Sequence, residues 1–131
     1  MKVYCAAPMR GYPEHNHPAI HDAVRQLRAA GHEVFSPAEQ DLGNGKDPRD
    51  GEAYGNDPAY LRQALAVDLA WILGCADAVA VLPGWERSKG AQAEVHTALA
   101  AGIPVCCLAE FLDGEPEGLI TWEHVHPEVM P

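Results

Sequence analysis

The chain predicts an α/β fold, a single domain over residues 1–131 built on a flavodoxin-like or Rossmann-like parallel sheet of four to five strands with helices on both faces. Three observations predict it. Short apolar runs alternate with helical periodicities of about 12 to 18 residues, the pattern of β-α-β units. One of those runs, "DAVAVLP" at 77–83, is continuously apolar after its first residue, which suits a strand covered on both faces. The length of 131 residues supports one compact core but not two.

The first strand is "KVYCAA", stopped by a loop from Pro8 to Pro18 that carries Gly11 and three prolines. Ile20, Val24 and Leu27 then recur at helical spacing over residues 19–30, and Gly31 supplies the stop. "HEVFSP" is the second strand. Residues 38–57 are rich in Gly, Asp, Asn and Pro, which predicts a loop and a mobile flap. Asp57 as N-cap and Pro58 at the first helical position open a helix to about Ala76. After the strand at 77–83, a helix from about Lys89 to Ala101 carries Ala91, Val95, Ala98 and Leu99 on one stripe and ends at Gly102 and Pro104. "IPVCCLA" is the fourth strand. In the tail from Asp113, "GLITW" is a candidate fifth edge strand.

The formal net charge of -10, with nine lysines and arginines in all, excludes a broad nucleic-acid footprint. An anionic substrate requires a local positive pocket. No apolar run approaches the roughly 18 to 20 residues that span a bilayer, and "MKVYCAAPMRGY" lacks the apolar region of a signal peptide, so a cytoplasmic location without membrane contact is expected. Cys5, Cys75, Cys106 and Cys107 form no C-x-x-C pair and are assigned to the core.

In parallel α/β sheets ligands bind outside the carboxyl ends of the strands. That places "APMRGY", the 38–57 segment and "PGWERSKG" at the site. Two carboxylates near these loops need explaining. Asp68 falls inside the stripe Leu61, Leu65, Leu69 and Ile72, so it must be paired, hydrogen-bonded or open to a cavity, or else the helix is rotated to release it to solvent. Glu94 lies in the first turns of the next helix, where the helix dipole alone favours an acid. Counting rises along strand and helix brings both to about the same height near the strand ends.

Beside them, Ser88, Lys89 and Gly90 combine a hydroxyl, a cation and free backbone N–H groups at a helix N-terminus, an arrangement that suits an anion. Arg87 adds charge, and Arg10 on the first loop can close the pocket from the other side. A phosphate seat next to two carboxylates fits an enzyme that anchors a nucleotide by its 5'-phosphate while carboxylates act on the sugar. Tyr4, at the end of the first strand, is either a core tyrosine or a hydrogen-bond donor that aims Glu94. Met9 and Gly11, on the first loop, are placed near base and sugar. Trp85 either stacks on the base through its ring face or covers a contact between subunits. His15-x-His17 and His124-x-His126 lack completing ligands at recognisable spacing, so neither a metal nor any other cofactor is expected; His15 and His17 are expected to line the first loop.

The segments "MKVYCAAPMRGYPEHNHPAI", "RAAGHEVFSPAE" and "VDLAWILGCADAVAVLPGWERSKGAQAEVHTALAAGIPV" resemble the nucleoside 2-deoxyribosyltransferase-like superfamily, most closely its small bacterial and phage members, over residues 1 to about 108. The resemblance implies a catalytic glutamate at Glu94 in the pattern Gly90-x-x-x-Glu94 and a second catalytic carboxylate at Asp68. Ser88-x-Gly90-x-x-x-Glu94 is similar to the pattern of members that hydrolyse nucleoside 5'-monophosphates, with the serine on the phosphate, whereas the base-exchanging transferases tend to carry aspartate there. The expected activity is therefore an N-glycosidase acting on a (2'-deoxy)nucleoside 5'-monophosphate. A nucleoside 2'-deoxyribosyltransferase and a non-catalytic nucleotide-binding module are the alternatives. The resemblance also implies a homodimer or larger homo-oligomer.

Overall fold

A computed structural model describes residues 1–50, 57–113 and 119–125. Four strands, β1 (Lys2–Ala6), β2 (Glu33–Phe35), β3 (Ala78–Val81) and β4 (Val105–Cys107), form one all-parallel sheet in the order β2-β1-β3-β4. Asp77 sets the start of the central pair: its backbone N–H donates to the Lys2 carbonyl at 2.7 Å, and its carboxylate accepts from the Lys2 N–H at 2.8 Å.

The side-chain alternation of the two central strands builds a core on each face. On one face Val3, Cys5 and Ala7 join Ala78, Ala80 and Leu82 under α1 (His17–Ala29), which contributes Ile20, Ala23, Val24 and Leu27. On the other, Tyr4, Ala6, Val79 and Val81 pack with Ile72 of α3 (Pro58–Cys75) and with Ala91, Val95 and Ala98 of α4 (Lys89–Ala100). This is the α/β layer that the alternating periodicities predict. Capping chemistry starts the helices where expected: Asp57 accepts from the Tyr60 N–H at 3.1 Å, and Ser88 from the Ala91 N–H at 3.2 Å.

Several expectations are corrected. The 38–57 segment is not loop throughout, because Ser36 caps a helix, α2 (Pro37–Gly43), by accepting from the Glu39 N–H at 3.2 Å, with Pro37 at its first position. The part of the expected flap at 51–56 lies outside the described residues. The fourth strand is shorter than expected, turning at Cys107 directly into α5 (Leu108–Leu112). Instead of a fifth strand, Ile120 makes one isolated antiparallel bridge to Val105 just before α6 (Trp122–Val125). Residues 114–118 and 126–131 of the tail lie outside the described residues. Cys5 and Cys106 are buried as core thiols, but Cys75 and Cys107 are exposed, one at the solvent side of a helix terminus and the other at the outer edge of β4. No helix among the described residues is long and apolar enough to cross a membrane.

The leucine stripe of α3 does not pack evenly on the sheet. Only Ile72 is fully buried, Leu69 is half-buried, and Leu61 is 40% exposed. The N-terminal half of the helix stands away from the strands and walls a cavity, while its C-terminal half closes on the core. Ile72→Ala is therefore expected to cost about 2 to 5 kcal/mol, whereas Leu73→Ala, at a position 59% exposed, should stay within about 0.5 kcal/mol. Urea denaturation of the two variants measures the difference.

Candidate active site

From β1 the chain passes to β2 on one side and then to β3 on the other. A reversal of this kind opens a crevice beyond the carboxyl ends of the two strands it separates, here β1 and β3. A cavity of about 680 Å³ lies there. Its walls come from the loop after β1 (Pro8, Met9, Arg10, Tyr12), from α2 (Asp41), from the first half of α3 (Tyr60, Leu61, Leu65, Asp68), and from the turn and helix after β3 (Gly84, Arg87, Ser88, Lys89, Gly90, Glu94).

At the floor of this cavity the Tyr4 hydroxyl donates to Glu94 Oε2 at 2.6 Å, with both residues buried. The phenol is held by its neighbours, stacked on Phe35 at 5.5 Å between ring centroids and tilted against Trp71 at 6.3 Å. Asp68 completes the group on the cavity wall, and its charge raises both Glu94 and Tyr4. Asp68 and Glu94 are 8% and 6% exposed. Burial and then the Asp68 charge push the Glu94 carboxyl well above its ordinary range, and burial pushes Asp68 up to about 6. Two like charges this close in a dry site cannot both ionise readily, so the pair retains a proton at neutral pH. The same burial, reinforced by Glu94 and then Asp68, raises Tyr4, which stays a hydrogen-bond donor.

One turn above Glu94 stands the N-terminus of α4. Ser88 caps it through a lone pair of Oγ, which leaves the hydroxyl proton available to a ligand. Arg87, Lys89 and Gly90 line the same end of the cavity, with Arg10 on the opposite loop. A Cβ on Gly90 would meet no atom within 4 Å, so the backbone there is open to approach. Gly84 is different: its φ of 91° is left-handed, and a Cβ would overlap the Tyr12 hydroxyl, so glycine is required where the first loop meets the turn after β3.

Of the residues selected from sequence, Glu94, Asp68, Ser88, Gly90, Arg10, Lys89, Arg87 and Met9 all line the cavity, and Tyr4 lies beneath it. Two do not. Trp85 is 7% exposed and packs in the core with Tyr4, Ile72 and Val95, because the left-handed Gly84 turns the 3-10 segment Trp85–Arg87 back over α4. Its indole is therefore not a stacking platform for the base. Gly11 is exposed with a φ of 87°, and the wall passes through Met9, Arg10 and Tyr12 without it.

Four polar side chains of the cavity escaped the sequence-based selection: Asp41, Tyr60, Tyr12 and, as a wall residue rather than part of the loop alone, His15. Asp41 was hidden by the loop-like composition around it, although Ser36 followed by Glu39 is a helix-start signature. His15 reaches the cavity through an unusual backbone. Glu14, His15 and Asn16 have φ values of 50°, 52° and 61°, three consecutive left-handed residues without a glycine, stabilised in part by Asn16 Nδ2 donating to the Pro8 carbonyl at 2.8 Å. His17 is buried behind them, its pKa lowered to about 4 by burial and by His21 and His15. Among the described residues no group of three His, Cys, Asp or Glu side chains is placed to hold a metal ion.

The titration of Asp68 bears on stability. With an ordinary value of 3.8 and a folded value of about 6, the folded state binds more protons between these limits. The carboxylate thus opposes folding increasingly as pH rises through that window. Asp68→Asn is expected to gain stability over the wild type between about pH 4 and 6 and to hold that gain above 7. Urea denaturation across this range checks it, and a difference independent of pH would contradict the raised value.

No curated protein matches the chain. Residues 1–107 match the model of a family described as Domain of unknown function (DUF4406), and the chain belongs to that family.

Proposed function

We propose that the protein is an N-glycosidase of the nucleoside 2-deoxyribosyltransferase-like superfamily that hydrolyses the base–sugar bond of a (2'-deoxy)nucleoside 5'-monophosphate. One observation carries this reading: the buried Tyr4–Glu94 hydrogen bond shares a cavity with Asp68 and with the basic N-terminus of α4. Glycosidic cleavage needs a nucleophile under the anomeric carbon and a proton source for the departing base. The retained proton of the carboxylate pair suits that demand. With the sugar over Glu94, the proton passes to Asp68, and positive charge growing on the ring favours the Glu94 anion, which Tyr4 holds in line.

Glu94 then attacks C1', the bond from C1' to the base nitrogen breaks, and Asp68 gives its proton to the base. The resulting glycosyl ester is opened by water, whose proton returns to Asp68. Interception of the ester by a second base instead of water gives transfer. The 5'-phosphate sits on Ser88, the N–H groups around Gly90, and the cations Arg10, Arg87 and Lys89, where each charge-assisted hydrogen bond contributes about 1.5 to 3 kcal/mol. A homo-oligomeric assembly belongs to the same reading. A second reading, a nucleotide-binding module without turnover, is favoured by the depth of Glu94, since burial raises its carboxyl well above the ordinary range and so disfavours the anion that a nucleophile requires.

Incubation with a panel of nucleoside and 2'-deoxynucleoside 5'-monophosphates, followed by chromatography, is expected to show released base. Glu94→Ala should lower that rate at least ~10³-fold while leaving the fold intact; full turnover in this variant would reduce Glu94 to a structural acid. A nucleoside should react at least about a hundredfold less efficiently than its 5'-monophosphate, because binding of the remote phosphate holds C1' over Glu94. Ser88→Ala should narrow this gap in kcat/KM. Equal efficiencies in the wild type would remove the phosphate seat from the proposal.

A further inference from the structure

Outside the carboxylate pair and the phosphate end, the cavity holds a third buried acid. Asp41 of α2 is 7% exposed and lines the cavity, with its Oδ1 accepting from the Tyr60 hydroxyl at 2.6 Å. Asn44 Nδ2 approaches the same phenol oxygen at 3.4 Å, and the Lys46 ammonium stands 4.3 Å from the ring centroid. These contacts orient Tyr60 and commit its proton to Asp41. Burial and the Asp41 carboxylate push the Tyr60 hydroxyl up to about 12, so that proton is not lost near neutrality. Asp41 Oδ2 accepts no hydrogen bond from the described residues. His15, its Nδ1 at 3.4 Å from the Pro48 carbonyl, walls the same region.

Strand order fixes where this acid lies relative to the rest. Asp41 follows β2, Tyr4 under Glu94 belongs to β1, and the Ser88 end follows β3, with β1 between the other two. The cavity therefore runs from an acidic end past the Tyr4–Glu94 floor to a basic end carrying Arg87 and Lys89. A nucleotide with its phosphate on the basic end and its sugar over Glu94 must direct its base toward Asp41 and Tyr60. A carboxylate there accepts hydrogen bonds and repels a carbonyl oxygen.

We propose that Asp41, held by Tyr60, is a specificity-determining residue that selects bases bearing an exocyclic amino group, as in cytosine and adenine, over their oxo counterparts, as in uracil and hypoxanthine. The substrate class follows from the polarity of the cavity: an anion at one end and a hydrogen-bond donor at the other. The inference rests on the nucleotide reading above, but it concerns recognition and can be tested without turnover.

The test compares two matched pairs on the full chain, dCMP with dUMP and dAMP with dIMP, by kcat/KM and by the ligand-dependent rise in melting temperature. In the pair that binds more tightly, the amino member should be preferred at least about tenfold, the lower end of what one good base contact discriminates. Asp41→Asn keeps an acceptor for Tyr60 but adds a donor, and should abolish or invert that preference. Tyr60→Phe, which frees the carboxylate to turn, should weaken it. If the amino preference persists in the melting shifts while no base is released, the glycosidase reading fails and this one stands. Equal treatment of amino and oxo partners, preference for the oxo partner, an unchanged preference in Asp41→Asn, or no response to any of the four nucleotides would each overturn it.

Discussion

The burial of Glu94 against Tyr4 is the constraint around which the site is arranged. A carboxyl that is 6% exposed requires a partner, because an unpaired buried ion costs several kcal/mol. Tyr4 can supply one only because β1 is the second strand of four, covered on both faces, with its even-numbered side chains turned toward α3 and α4. Phe35 and Trp71 confine the phenol, and α4 begins close enough to the end of β3 to bring Glu94 down onto it. The depth that makes Glu94 expensive to ionise also removes water from around it, so each hydrogen bond there acts at greater strength.

Much of this architecture is legible in the sequence, for reasons that differ by element. The continuous apolar run at 78–82 marks a strand covered twice, and Asp57-Pro58 marks a helix start that the structure places at the same residue. Asp68 is readable because a carboxylate in an apolar stripe contradicts the stripe; the resolution is that the stripe is a cavity wall for its first two turns. Trp85 is not readable, since its direction depends on one left-handed glycine. The 14–16 segment is still less so, because no glycine announces its positive φ values, and of the contacts about it one comes from Pro8 at the far end of the same loop and the other from Pro48, 33 residues on from His15. Asp41 illustrates a third kind of failure. Composition predicts loop across 38–57, but a single capping serine outweighs that average locally.

The two acids at opposite walls, Glu94 on Tyr4 and Asp41 on Tyr60, share one design: a buried carboxylate whose direction is set by a phenol at 2.6 Å. Their surroundings divide their roles. Glu94 has a second carboxylate beside it and a proton in common with it, which suits the catalytic role proposed for it. Burial raises the Asp41 carboxyl, opposed first by the Tyr60 hydrogen bond and then by His15 and Lys46, so the acid proposed to read the base has donors and a lysine about it where Glu94 has a second carboxylate.

Ser88 joins helix stability to ligand charge in one atom. Its oxygen caps α4 while the residue lines the cavity, and aspartate caps a helix about as well as serine does. A change between these two residues would therefore be nearly silent for folding yet would set a negative charge among Arg87 and Lys89, at the end of the cavity proposed to seat a phosphate.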